Sequence, residues 1–386
     1  MLHEEKTRLL SLDFFRGATV AAMILVNNPG NWGKIYTPLE HAEWNGCTPT
    51  DLVFPSFLFI VGVSIAYAMG GKKEDSTQHN SLLIKAFKRA LILFGLGLFL
   101  AAYAKILNLQ IFTDPLEVLK TIRIPGVLQR IGLVFFICAV IFIKSSTKNI
   151  FRIMIGCLVV YWALMTFVPV PGVGFPNLEK ETNLAAWLDR SLLTEAHLWK
   201  NTKTWDPESI LSTIPSVATG LFGVLVGIYL KRKDLDAATK IAWLFCTGCI
   251  AIFLGMVWDL QFPINKALWT SSYVLYAGGI ATLILSLSYW IIDVQKYNSF
   301  TTPFVVFGVN AITAFFVSGL LPRTLNLIQM DNPDGSTSGL HAWLYKTYFV
   351  PHFSPINASL AWAIVFVLFF LLILWVMYKK KIIIKV

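Results

Sequence analysis

About ten separate stretches of mostly apolar residues, each some 20 residues long, set the limits on what this chain can fold into. They lie near 11–28, 50–70, 82–104, 125–144, 150–168, 210–230, 240–258, 268–291, 303–322 and 358–378, and about 20 apolar residues are what a helix needs to cross a bilayer. Backbone N–H and C=O groups in lipid must be satisfied within the segment, as they are in a helix. The expected fold is therefore all-α: a single polytopic transmembrane bundle covering 1–386. Charge usage agrees, because only 14% of the residues are Asp, Glu, Lys or Arg, against about 25% in a soluble domain.

An even number of spans puts both termini on one side. The short links between runs are basic: Lys72, Lys73, Lys85, Lys88 and Arg89; then Lys144, Lys148 and Arg152; then Lys231, Arg232, Lys233 and Lys240. All fall on the side of the termini, as does the tail with Lys379, Lys380 and Lys381, so the positive-inside rule makes that side cytoplasmic. The net charge of +10 is thus explained by an anionic leaflet, and no nucleic-acid motif competes with that reading. The first run begins near Leu9, carries Arg16 and lacks a clear cleavage site, which reads as a retained helix. The opposite loops, 29–49, 105–124, 169–209, 259–267 and 323–357, are longer and rich in Trp, Asn, Pro and acidic residues, and are expected to face the periplasm or a lumen.

Five cysteines, four of them in apolar runs, give no disulfide framework, and the "CTGC" of Cys246 and Cys249 lacks the context of a redox motif. No histidine pair has the spacing of a helix-borne zinc site, so no metal is expected. Serine-hydrolase elbows, phosphate loops and dinucleotide fingerprints are also missing.

Ionisable groups inside spans are costly and mark function or a local partner. Asp13 and Arg16 are three apart and suited to an ion pair. Arg123 and Arg130 in "RIPGVLQR" share one helical face, with Gln129 and Arg130 about two turns below the outer interface. Asn310 is a further intramembrane polar residue. Asn27 and Asn28 close the first helix and Asp51 opens the second, which brings both to the outer level of the loop "HAEWNG". His41 in that loop, flanked by Glu40 and Glu43, is suited to general-base or nucleophilic work because its ordinary titration lies near neutrality. A surface histidine is the plain alternative.

Several stretches together resemble one family: "LDFFRG", "LVNN", "HAEWNGCTPTDLVFP", "RIPGVLQRIG", "WDPESILSTIPS", "PINKALWTSSYV" and "FGVNAI". They resemble the heparan-alpha-glucosaminide N-acetyltransferase family of transmembrane acetyltransferases and its bacterial relatives. The resemblance implies transfer of an acetyl group from cytosolic acetyl-CoA to the amine of a glucosamine-like sugar on the far side of the membrane. It also implies a homodimer. His41 and Asn27 match the family's catalytic positions. Trp44, Asn45, Asp51, Arg123, Asn265 and Trp269 are the implied substrate-side residues, and Arg16, Gln129, Arg130 and Asn310 the implied CoA-side ones. The expected setting is a bacterial inner membrane with His41 on the periplasmic face. This chain reaches "LDFFRG" within about its first dozen residues, so the luminal domain and extra helix that precede this motif in the lysosomal member are expected to be lacking. An alternative of another class is a transporter or flippase for a sugar or glycolipid, which about ten helices and intramembrane Arg130 and Asn310 would also suit.

Overall fold

The structure, a computed structural model, describes residues 9–332 and 335–384. Its helices are α1 (Leu10–Asn27), α2 (Val53–Met69), α3 (His79–Leu107), the short α4 (Gln110–Thr113) and α5 (Pro115–Thr121), α6 (Val127–Lys144), α7 (Thr147–Phe167), α8 (Leu184–Leu193), α9 (Thr213–Leu230), α10 (Ala237–Asp259), α11 (Ser271–Ser288), α12 (Thr302–Val309), α13 (Ala311–Leu325), α14 (Leu340–Tyr348) and α15 (Pro355–Lys379). One antiparallel hairpin, β1 (Gln329–Asp331) with β2 (Thr337–Gly339), lies in the loop before α14. The all-α expectation holds. Among the described residues nine helices are long and apolar enough to cross a membrane. The tenth apolar run is different: α12 and α13 form a pair bent by 80°, with Asn310 between them.

Close helix crossings rest on small residues, the usual device where lipid supplies no hydrophobic drive between helices. A side chain on Gly17 of α1 would strike the Phe304 carbonyl of α12, 1.6 Å from where its Cβ would sit, and Gly62 and Gly223 press α2 against α9 in the same way. These contacts fix α2 and α9 as the centre of the bundle, with α1, α6 and α11 around them.

The two ends of the bundle are built differently. At one end the links are short and tied by lysines, Lys73 Nζ donating to the Ser145 carbonyl and Lys231 Nζ to the Ala66 carbonyl. At the other end the long loops bond to one another: Gly30 and Asn31 to Ser359, Trp44 Nε1 to the Leu178 carbonyl, and Gly46 N to the Ile264 carbonyl. His41 belongs to this long-loop end.

Candidate active site

The sequence Thr48-Pro49-Thr50-Asp51 starts the second span with a capping box, in which the residue before a helical turn and the third residue in it satisfy each other. Asp51 Oδ2 accepts the backbone N–H groups of Thr48 and Ala42, both at 3.0 Å, and lies 3.1 Å from Thr48 Oγ1. The carboxylate is thereby fixed, with 1% of its side chain exposed. Its other oxygen, Oδ1, is 2.7 Å from His41 Nδ1. An ionised carboxylate can only accept, so His41 carries its proton on Nδ1 and turns the lone pair of Nε2 outward. The imidazole is 48% exposed, which leaves Nε2 open to a substrate. A buried carboxylate that sets the tautomer of an accessible histidine is the arrangement that makes imidazole a directed base or nucleophile.

Lys266, in the loop between α10 and α11, completes the site. Its Nζ is 3.2 Å from His41 Nδ1, 3.3 Å from Nε2 and 3.9 Å from Asp51 Oδ1. Being nearly equidistant from the two ring nitrogens, it lies on the lone-pair axis of neither and instead sets a positive charge against the ring. Burial pushes the Lys266 ammonium below the ordinary lysine range, against the pull of Asp51, Glu208 and Cys47. The same surroundings silence the nearest thiol: burial, and then the Asp51 charge, push Cys47 up to about 12 despite Lys266. At neutral pH Cys47 is not a thiolate.

A family model described as heparan-alpha-glucosaminide N-acetyltransferase, catalytic, matches residues 8–256, about two thirds of the chain. The chain belongs to this family. The human (Homo sapiens) heparan-alpha-glucosaminide N-acetyltransferase is 33% identical over 356 residues, covering 80% of this chain and 52% of that protein. The mouse (Mus musculus) heparan-alpha-glucosaminide N-acetyltransferase is 32% identical over 356 residues, covering 80% and 53%. The chain spans about half the length of these curated relatives. His41 and Asp51 lie in the stretch matched by the family model, and Lys266 lies beyond it.

In this heparan-alpha-glucosaminide N-acetyltransferase family member the other residues singled out in the sequence are distributed as follows. Asn27 is exposed at the end of α1, and no hydrogen bond joins it to His41 among the described residues. Glu40 is exposed, and Glu43, 96% exposed, reaches only Lys180 at 3.8 Å. The carboxylate that His41 uses is the one ten positions along the chain. Trp44 borders the site, half-buried, its ring 5.1 Å from that of Trp205 in an edge-to-face pair. Asn45 is exposed, and its Oδ1 accepts from Asn265 Nδ2 at 3.2 Å.

Asn265 and Trp269 lie inside the protein, each 1% exposed. Asn265 Oδ1 accepts the Leu268 N–H, so the side chain pins the Lys266 loop to the His41 loop. Trp269 donates from Nε1 to Thr219 Oγ1 and packs edge-on against Phe54 and Tyr273. Arg123 makes a two-toothed pair with Asp206, Nε to Oδ2 at 2.9 Å and Nη2 to Oδ1 at 2.6 Å, and also reaches Glu208 at 2.5 Å. Asp206 and Glu208 are almost fully covered, so this is a staple that holds the long loop before α9 against the start of α6.

Arg130 is buried at 2% exposure, and its guanidinium donates to Ser209 O, Ser212 O, Ser212 Oγ and Ser216 Oγ. Those four acceptors all belong to the stretch that starts α9, and the charge is spent on fixing it. Gln129 is wedged against Gly97 and Gly126 and donates to the Ile124 carbonyl. Arg16 lies on α1 with Nη1 3.0 Å from Asp13 Oδ1 and Nη2 2.9 Å from Ser64 Oγ. Asn310, at the break of the bent pair, bonds the chain's tail through Ile382 O and Ile384 N. The residue that sequence reasoning missed is Lys266. It stands in the quoted motif "PINKALWTSSYV", but nothing local marks it as a partner of His41. Among the described residues no cluster of His, Cys, Asp and Glu could hold a metal ion.

Proposed function

We propose that this protein is a transmembrane acetyltransferase that moves the acetyl group of acetyl-CoA to the amine of a glucosamine-like sugar, with His41 Nε2 as the reacting atom. The observation that carries the proposal is the 2.7 Å pairing of His41 Nδ1 with a buried carboxylate on a half-exposed imidazole. Membership of a family of N-acetyltransferases supplies the reaction class, and the names of the human and mouse relatives supply the amino-sugar class.

An amine attacking a thioester must lose a proton while negative charge gathers on the carbonyl oxygen. His41 Nε2 is the acceptor: it takes the amine's proton in direct transfer, or takes the acetyl group itself as CoA thiolate departs and then yields it to the amine. Asp51 holds the ring in the required tautomer and offsets the charge of the imidazolium or acetyl-imidazolium. Lys266 Nζ is the positive group nearest the ring and suits the developing oxyanion. The long-loop end is the periplasmic or luminal side in this proposal, and the basic short-link end faces the cytoplasm, where acetyl-CoA is drawn from.

The test is purified full chain in detergent with labelled acetyl-CoA and a panel of amino sugars. Labelled N-acetyl product establishes the activity. Sugar counterflow in vesicles, with no product, establishes a carrier in its place.

A further inference from the structure

Helix α3 is long enough to set a level in the membrane. From Lys85 to Lys105 it rises about 30 Å, the thickness of a bilayer's hydrocarbon core, so Lys105 stands at the lipid boundary of the long-loop end. The chain turns there, with Leu109 in the left-handed region at φ 59°, and α4 and α5 follow. Leu109, Phe112, Leu116 and Leu119 of this stretch are 60–77% exposed. Their spacing of three and four is that of one helical side, and apolar side chains presented at such a boundary dip into the acyl region.

Polar residues of the same stretch line a cleft of about 820 Å³. Asp114 and Glu117 come from α4–α5, Lys105 from the end of α3, and Glu195, Lys200 and Lys203 from the loop after α8. Lys105 Nζ donates to Thr121 Oγ1. Glu195, Lys200 and Lys203 are exposed and have no ion pair among the described residues. Three ammonium groups thus share the cleft with three carboxylates. A polyanion gains little from so balanced a surface, whereas a ligand that carries one phosphate beside an ammonium and hydroxyls meets both signs. The loop that supplies Lys200 and Lys203 also reaches the loop of His41: Trp199 N donates to Asp206 Oδ2 at 3.0 Å, and the Trp205 ring lies 5.1 Å from that of Trp44, three positions from His41.

We propose that this cleft docks a lipid-linked acceptor, a glucosamine-like sugar joined through phosphate to acyl chains, so that the amine is delivered from the membrane; the inference rests on the amino-sugar acetyltransferase reading above. The acyl chains lie against Leu109, Phe112, Leu116 and Leu119, the phosphate meets the lysines, and the sugar extends along the loop toward Trp44 and His41. Charge complementarity selects this occupant, because a phosphate at the height of Lys105 is at the headgroup level of the bilayer. The reaction balances as acetyl-CoA plus lipid-linked amine giving N-acetyl lipid plus CoA. The amide C–N bond forms as the thioester C–S bond breaks, and the proton lost by the amine ends on the CoA sulfur.

The test uses the purified full chain in detergent and reads binding by native mass spectrometry, separately from turnover. The probes are dioleoyl phosphatidylglucosamine, free glucosamine 1-phosphate and dioleoyl phosphatidylglycerol, which has acyl chains and phosphate but no amino sugar. The wild type is expected to bind phosphatidylglucosamine about tenfold or more tighter than either of the others; this needs no variant and so decides the matter even if a variant does not fold. The pair Lys200→Gln with Lys203→Gln, and separately Phe112→Ser, is expected to cut that preference to less than about threefold. With labelled acetyl-CoA, phosphatidylglucosamine is expected to become the N-acetyl lipid. Preferred binding in a chain that acetylates no amino sugar at all would keep the docking site and remove the proposed reaction. Equal binding of the three probes, or an unchanged preference in the folded lysine double variant, overturns the site whatever the activity.

Discussion

Asp51 Oδ1 lies 2.7 Å from His41 Nδ1, and the other Asp51 oxygen is held by two backbone N–H groups. One carboxylate thus caps the start of a membrane helix and orients the imidazole of His41. That double duty makes the consequences of substitution specific.

Asp51→Asn tests the tautomer. The Thr48 and Ala42 N–H groups demand an acceptor, so the new amide turns its oxygen to them and its NH₂ to His41. The ring must then accept at Nδ1 and carry its proton on Nε2, which removes the reacting lone pair. Acetyl transfer is expected to fall by about 10³–10⁴-fold, the scale of the equivalent change in a Ser-His-Asp triad, with the variant still folded. A loss of less than tenfold in a pH-rate series would show that the tautomer is not set by Asp51.

Lys266→Met removes the positive charge beside the ring. A drop in kcat of about 10²–10³-fold is expected, the size of losing one oxyanion-hole donor. Burial depresses the Lys266 pKa, so its charge is lost, as pH rises, earlier than that of an ordinary lysine, whose value is about 10.4. The alkaline limb of the wild-type pH-rate profile should therefore fall early. In Lys266→Arg the limb should move to higher pH, since guanidinium stays charged.

Arg123→Met addresses the staple. Removing the cation strands the buried Asp206 carboxylate with Glu208 beside it, and breaking a buried pair costs about 3–5 kcal/mol. Thermal stability in detergent is expected to fall clearly, while the KM for amino sugar in the surviving folded fraction stays within a few-fold of wild type. A large KM change without loss of stability would return Arg123 to the substrate.

Asp189, buried in α8 and bonded through Oδ1 to the Ile210 N–H, is raised to about 7, chiefly by burial. The folded state then holds this proton more tightly than the unfolded chain does. Stability from this group is full below about pH 4, the unfolded carboxyl's range, and is lost progressively as pH rises toward 7. Asp189→Asn keeps the acceptor without the titration. Its thermal midpoint should match wild type near pH 4 and exceed it at pH 8, and equal midpoints at pH 8 would contradict the buried-acid account.

The helices were legible in the sequence because spanning lipid demands long apolar runs. The break at Asn310 was not, since a bent pair of short helices has the same composition as one straight span. Thr48-Pro49-Thr50-Asp51 carried the signal of a capping box, which fixes where Asp51 sits but does not say that His41 folds back onto it. Lys266 was out of reach of local reasoning: it meets His41 only because Asn265 and Gly46 join two loops more than 200 positions apart in the chain. The family resemblance implied substrate-side roles for Trp269 and Arg123, and burial, visible only in three dimensions, shows their polar groups already bonded within the protein.

The most direct test of the central claim is single-turnover transfer from labelled acetyl-CoA to glucosamine by purified wild type and His41→Ala, with CoA binding measured alongside. The account predicts labelled N-acetylglucosamine from the wild type and a loss of about 10²–10⁴-fold or more in His41→Ala, with CoA affinity preserved. Near-normal product from His41→Ala would contradict it.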